Sequence, residues 1–532
     1  MSQDRRHFLR HALIGGAGLV AACTTRSEPR GPAPKAPKTS TPEPKATSPE
    51  PAADALPDGL DADLFEMYTR RPLTLETKRS SFGYGVLTPM SRFFVRNNLP
   101  MPDASILDDP LRWELAVEGV AKPRAVTLAE LMGLGVETIT TVIQCSGNGR
   151  RFFEHGPSGS QWGTGAAGCA MWTGVPVRRL VEALGGPAAG AAFMTSTGGD
   201  PLPDGVDPLD VVVERSIPLE KALSDCLLAW EMNGQPIPLT HGGPLRLIVP
   251  GYYGCNQIKY IRKLALTAQE TQAKIQRSGY RFRPIGEKGS PEHPSLWAMN
   301  VKSWVQGPGA DGEPVLAGKV SFHGVAFAGE EDVAQVEVSM DGGETWTKAR
   351  WIGPDMGPHA WRTFVHDAEL APGAHTIHSR ATSASGAVQP ELRVENERGY
   401  RHNAWRDHGL TVEVVAELPK KAPRKEKEGA GSPASSSTGV APGSAELSAQ
   451  GERGRAAFVT DAQPNCGTCH TLGDAGTEGV VGPNLDEMAP DAARVEAAVT
   501  NGVGSMPPYK GRLKPGQIKD IARYVAEATR KK

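Results

Sequence analysis

The spacing of hydrophobic positions changes character three times along the chain. Between about 57 and 284, short strand-like runs alternate with helical ones. Glu137 to Ile143 and Leu245 to Val249 are strand-like, and Val177 to Leu184 has helical spacing. From about 294 to 417 the period falls to two: Val336, Val338 and Met340 alternate with Gln335, Glu337 and Ser339, ahead of an Asp341-Gly342-Gly343 turn. Thr376 to Ala381 repeats that style, and several short strands with turn signals predict an Ig-like β-sandwich. Near the C-terminus helical spacing returns in Glu446 to Phe458 and Gln517 to Thr529. The latter carries Ile518, Ile521, Ala522, Tyr524 and Val525 on one face. The chain is therefore expected to be multidomain: mixed α+β over 57–288, a sandwich over 289–417 and an all-α domain over 447–532.

Two stretches have no core-forming pattern. Residues 24–56 hold eight prolines between Pro29 and Pro51 among Ala, Lys, Ser and Thr, which predicts an extended tether. Residues 418–446 join a charged run (Lys420, Lys421, Arg424, Lys425, Glu426, Lys427) to Gly, Ser and Pro, which predicts a flexible linker. Ahead of the tether, Arg5-Arg6-His7-Phe8-Leu9-Arg10 precedes an uncharged stretch from Ala12 to Ala22. A basic start before a short apolar segment reads as an export signal over 1–23, and the paired arginines resemble a twin-arginine signal. Val20-Ala21-Ala22-Cys23 resembles a lipobox, so acylation of Cys23 and a periplasmic, membrane-anchored protein are expected. An ordinary cleaved signal with an incidental Cys23 is the alternative.

A length of 532 residues fits three or four domains at about 100–200 residues each. The formal net charge of −2 argues against a nucleic-acid binder, which normally carries a basic surplus. No uncharged apolar run approaches the roughly 20 residues that cross a bilayer, so no spanning helix is expected.

Cysteine positions bring in chemistry. Cys466-Gly467-Thr468-Cys469-His470 is a C-x-x-C-H run, the pattern of covalent c-type haem attachment. Two thiols three residues apart reach the two vinyl groups of one porphyrin edge, and the next residue offers an imidazole to the iron. A zinc knuckle would need a second ligand pair, and none is apparent. Gly482-Pro483-Asn484-Leu485 follows, as in class I cytochromes c, which this region resembles. Met506, followed by Pro507 and Pro508, is the candidate second axial ligand; His/Met ligation raises the haem potential and leaves no open site.

In the first domain, Cys145 ends a strand-like run and is followed by Ser146-Gly147-Asn148-Gly149-Arg150-Arg151. That places a thiol beside backbone amides and fixed positive charge, which favours thiolate. Taken alone, Cys145 reads as a structural cysteine, a nucleophile or a metal ligand.

Residues 60–415 resemble the molybdenum enzymes of the sulfite oxidase and sulfite dehydrogenase family. The resemblance is carried in order by Phe93 to Asn98, Gln144 to Arg150, Trp162-Gly163-Thr164-Gly165, Glu231 to Pro236, His241 to Arg246 and Val249-Pro250-Gly251. It implies that Cys145 is the protein thiolate on molybdenum. Arg96, Arg150, Tyr280 and Trp162 would then surround an oxyanion substrate. Asn97, Asn98, Asp200, His241, Arg246 and Lys259 would hold the pterin cofactor and its phosphate. Asn98 stands where relatives commonly carry His, which leaves the substrate and pH behaviour open. The 289–417 part resembles the family's dimerisation domain, implies a homodimer, and shows no chemistry of its own; Trp351, Trp361 and Trp405 read as core or interface residues. Always-charged, planar guanidinium groups suit a dianionic substrate independently of the resemblance. The expected activity is oxidation of sulfite to sulfate, with electrons passing through the haem of Cys466, Cys469, His470 and Met506 to an external cytochrome or respiratory acceptor. The alternatives are a dehydrogenase of another sulfur compound and a haem shuttle with an inactive molybdenum domain.

Overall fold

Strand Glu137–Gln144 pairs along its whole length with Ala167–Pro176, from Glu137 opposite Gly174 to Gln144 opposite Ala167. Its β-branched run forms the expected strand, and its last four residues are buried on both faces. In the computed structural model, which describes residues 56–418, 447–479, 482–503 and 506–530, this pair belongs to an antiparallel sheet. Leu227–Met232 continues the sheet and pairs in turn with Gln235–Pro236 and with Arg246–Ile248. A second sheet runs Arg124–Thr127, Glu114–Glu118, Ile261–Thr267, Phe193–Gly198, Glu214–Pro218, and only its Glu114–Glu118 to Ile261–Thr267 pairing is parallel. Helices Leu128–Met132, Val177–Ala183 and Leu219–Ser224 follow strands directly. The first is closed by a capping box between Thr127 and Glu130, so its orphan amides are met locally. This part is mixed α+β. Leu56, assigned to the tether by composition, is instead buried with Leu60, Phe65, Leu75 and Val95.

Residues 302–415 form two further sheets. One runs Lys302–Gly307, Gly318–Phe327, Arg362–Leu370, Arg350–Ile352; the other runs Val315–Leu316, Leu410–Val415, Gly373–Ser383, Val333–Ser339, Thr347–Lys348. Val305, Phe322 and Phe364 from the first sheet and Val336, Ile377 and Val412 from the second belong to one core. Trp361 and Trp405 are buried, and Trp351 packs at the edge of that core.

The C-terminal part is helical: Ala449–Ala456, Ala492–Asn501 and Pro515–Ala528 enclose a core of Phe458, Val495, Val499, Ile521 and Tyr524, with one two-residue hairpin beside the cysteine pair. The first helix starts later than its hydrophobic spacing predicts, because the Ser448 side chain accepts from Gly451 N and caps it there. The described residues, 56 onward, belong to one compact unit. The paired arginines Arg5 and Arg6, Cys23, the tether to residue 55 and the linker 419–446 lie outside the described residues. No helix among the described residues is long and apolar enough to cross a membrane.

Candidate functional site

Cys145 follows the last residue of strand Glu137–Gln144, and its amide extends the ladder by donating to Ala166 O at 2.9 Å. The chain then turns sharply, with Asn148 N donating to Cys145 O. Asn148 pins the turn from inside: its Nδ2 donates to Gln144 Oε1 and Thr164 O, and its Oδ1 accepts from Ala166 N. The turn carries Gly147 because a Cβ there would lie 2.4 Å from the Arg150 guanidinium. The glycine therefore allows Arg150 to fold back toward the thiol. Arg150 is buried, and its Nε and Nη1 donate to the carbonyls of Arg398 and Ser160. Burial pulls its pKa below the usual arginine range, with the nearby Tyr400 and Cys145 opposing.

Cys145 lines two cavities. The larger, about 480 Å³, is also lined by Arg96, Asn98, Arg150, Trp162 and Tyr280. The smaller, about 80 Å³, is lined by Asn97, Asp200, His241, Arg246 and Lys259, together with Arg96, Asn98 and Tyr280. Cys466, Cys469, His470 and Met506 line the larger cavity as well, so the two sets of residues singled out in the sequence share one space.

Around the larger cavity, Arg96 Nη2 donates to Asn98 Oδ1 at 2.9 Å, and the Tyr280 hydroxyl donates to the same oxygen at 3.4 Å. Tyr280 caps the single turn Ile275–Gly279, with Tyr400 5.6 Å from its ring and the Arg215 guanidinium over its face. Burial raises the Tyr280 pKa, so its hydroxyl remains a donor. Trp162 is fully buried, edge-on to Tyr68 at 5.0 Å, and its Nε1 has no partner. Its loop is held by Glu76, whose carboxylate accepts from the amides of Gly163 and Gly165 and from the Tyr68 hydroxyl at 2.6 Å. Burial raises the Glu76 pKa against those bonds.

The smaller cavity gathers the basic side chains of Arg96, Arg246 and Lys259 around one carboxylate, that of Asp200. Arg246 donates to the carbonyls of His241 and Gln257, its Nε is unpartnered, and its guanidinium faces Trp172. Lys259 donates to Asn97 Oδ1 at 2.9 Å and to Thr240 O; burial and the Arg246 cation depress its pKa well below the usual range. Burial and the Lys259 cation push His241 down to about 3, so it is neutral. Burial pushes Asp200 up to about 7, with Lys259 opposing. Arg246 and Lys259, buried and hydrogen-bonded only to neutral acceptors, suit an anionic group that would favour their charged forms. The site thus fits a phosphate-bearing pterin.

On the helical side, His470 Nδ1 bonds Pro483 O at 2.9 Å, which orients the ring and leaves Nε2 for a metal. Gly482 allows this, since a Cβ there would lie 2.4 Å from the imidazole. Phe458, Leu485, Val495, Val499, Ile521 and Val525 supply an apolar wall. The thiol pair, oriented imidazole and apolar slot fit a c-type haem.

Residues 289–417, expected to carry no chemistry of their own, do contribute to the site: Arg398 and Tyr400 line the larger cavity. Arg398-Gly399-Tyr400-Arg401-His402 is a basic, aromatic run, and that was the available signal. Arg96, Arg150 and Arg398 all face the cavity, and no carboxylate of residues 56–418 lines it.

Residues 99–275 match the oxidoreductase molybdopterin binding domain, 293–413 the Mo-co oxidoreductase dimerisation domain, and 449–525 the cytochrome C oxidase, cbb3-type, subunit III family. Mitochondrial sulfite oxidase of Rattus norvegicus is 31% identical over 368 residues, and the match spans 65% of each chain. Sulfite oxidase of Gallus gallus is 31% identical over 357 residues, covering 63% of this chain and 76% of the relative. The chain belongs to the sulfite oxidase family. Its sulfite oxidase-like molybdopterin domain is fused to a C-terminal haem-binding domain, and Cys466 and Cys469 are consistent with c-type attachment. The sulfane dehydrogenase SoxCD from Paracoccus pantotrophus has a similar structure, with a TM-score of 0.56 and 25% identity, over 70% of this chain and 97% of that one. This sulfite oxidase-family chain spans about two thirds of the length of its mammalian relatives.

Proposed function

We propose that the protein is a sulfite dehydrogenase that oxidises sulfite to sulfate and passes the electrons through its own haem to an external cytochrome or respiratory acceptor. The observation that carries this reading is the shared cavity, with Cys145 and three arginines on one side and Cys466, Cys469, His470 and Met506 on the other. When bound, the molybdenum–pterin group supplies two-electron oxygen-atom transfer and the haem supplies single-electron transfer.

The protein residues have separable tasks. Cys145 holds the metal, and the buried Arg246 and Lys259, with Asn97, Asn98, Asp200 and His241, hold the pterin and its phosphate. Arg96 and Arg150 neutralise an incoming dianion and orient its oxygens, Tyr280 donates without adding charge, and Trp162 walls the pocket against water. Cys466 and Cys469 would anchor the haem, and His470 and Met506 would ligate its iron, as in a class I cytochrome c. Exchange within one chain replaces a diffusional encounter by a high effective concentration.

The same reading takes in the domain bounds 57–288, 289–417 and 447–532, and an immunoglobulin-like topology for the second, which serves as the surface of a homodimer. It also takes in twin-arginine export to the periplasm and a lipid anchor at Cys23. Likeness to a sulfane dehydrogenase supports a second reading, in which another reduced sulfur compound is the donor. Steady-state turnover with cytochrome c as acceptor tests the choice. Sulfite is expected to drive it, and turnover with a sulfane donor but none with sulfite would overturn the proposal.

A further inference from the structure

Two cations of the catalytic half grip the loop that carries Met506. Lys274 Nζ donates to Met506 O at 2.6 Å, and Arg398 Nη1 donates to Gly502 O at 3.3 Å. Gly502 caps helix Ala492–Asn501, so the carbonyl that Arg398 binds lies at the negative end of the helix dipole. Lys274 and Arg398 lie near enough to repel one another, and the Asp210 carboxylate opposes that repulsion at Lys274. Each cation adjoins an aromatic residue of the cavity: Lys274 precedes the turn Ile275–Gly279 that ends at Tyr280, and Arg398 lies two residues before Tyr400. Neither bond is needed for the core of either half.

We propose that Lys274 is a positioning residue which, with Arg398, docks the haem domain on the oxyanion pocket by holding the carbonyls of Gly502 and Met506. Its part in electron transfer rests on the function proposed above; its part in docking does not. Loss of the grip leaves both halves folded and lets the haem domain leave its transfer position.

The test uses the full-length, cofactor-loaded protein and Lys274→Met, with Lys274→Gln as a second variant should the first yield no folded protein. Two readouts are taken: hydrogen exchange of the Met506 amide, which is bonded to Val503 O at 2.9 Å, and the rate of haem reduction after mixing with sulfite. Exchange is expected to be at least tenfold faster and haem reduction at least tenfold slower, while dithionite still reduces the haem fully. Lys274→Arg is expected to restore both, and Lys510→Met, at an exposed position of the haem domain, to change neither. Unchanged exchange overturns the proposal, as does faster exchange with undiminished reduction by sulfite. If sulfite fails to reduce the wild-type haem, the functional reading fails and exchange alone decides the docking role.

Discussion

The side-chain oxygen of Asn98 accepts a hydrogen bond from Arg96 Nη2 at 2.9 Å, and the Tyr280 hydroxyl reaches the same oxygen at 3.4 Å. One neutral acceptor thus aims both a guanidinium and a phenol at the pocket, without adding a group that titrates. Hydrogen bonds to charged groups contribute about 1.5–3 kcal/mol, so Asn98→Ala is expected to lower kcat/KM for sulfite about ten- to a hundredfold, mostly through KM. Asn98→His is expected to make activity depend on pH between about 5 and 8, a dependence absent from wild type at this position. Steady-state kinetics across pH checks both.

Glu76 supports Trp162 through the backbone. Its carboxylate accepts from the Gly163 and Gly165 amides, so Glu76→Ala leaves two buried donors unpaired at about 1–3 kcal/mol each. Urea unfolding is expected to show a loss of about 2–6 kcal/mol, with a smaller loss for Glu76→Gln, which keeps one acceptor.

Acid and base act oppositely on two buried groups of the apoprotein. His241 falls from 6.5 to about 3 on folding, so the unfolded chain binds the extra proton between those values, and His241 makes stability rise with pH there. Asp200 rises from 3.8 to about 7, so the folded chain holds the extra proton and this group makes stability fall as pH rises from 3.8 to 7. His241→Gln is therefore expected to stabilise the apoprotein at pH 4 relative to wild type, with little effect at pH 7.5. Asp200→Asn is expected to do the reverse. Melting temperatures at the two pH values provide the check.

Met506 lines the cavity that His470 enters. Replacing a thioether ligand by imidazole lowers a haem potential, so Met506→His is expected to shift the midpoint potential downward in a spectroelectrochemical titration. An unchanged potential would contradict axial ligation by Met506.

Contiguous chemistry was legible from spacing, whereas Arg96, Trp162, Asp200, His241, Arg246, Lys259 and Tyr280, which the fold gathers from distant segments, were legible only through the family resemblance. Cys145 and Arg150 share one turn, and Cys466, Cys469 and His470 share another, so spacing alone brought each set together. Strand Glu137–Gln144 and helix Val177–Ala183 also followed from local period and residue type. Arg398 and Tyr400 were missed because they enter the pocket from the end of a part whose strands read as purely structural. Glu76 was missed because a lone carboxylate in a short strand shows no sign of the Gly163 and Gly165 amides 87 and 89 residues away. The start of helix Ala449–Ala456 was displaced by the Ser448 cap, which outweighs the hydrophobic spacing before it.

Stopped-flow mixing of sulfite with wild type and Cys145→Ser, following the haem band, tests the central claim most directly. Rapid haem reduction is expected in wild type and none in Cys145→Ser, with dithionite reducing both. Reduction of the Cys145→Ser haem by sulfite at the wild-type rate would contradict that claim.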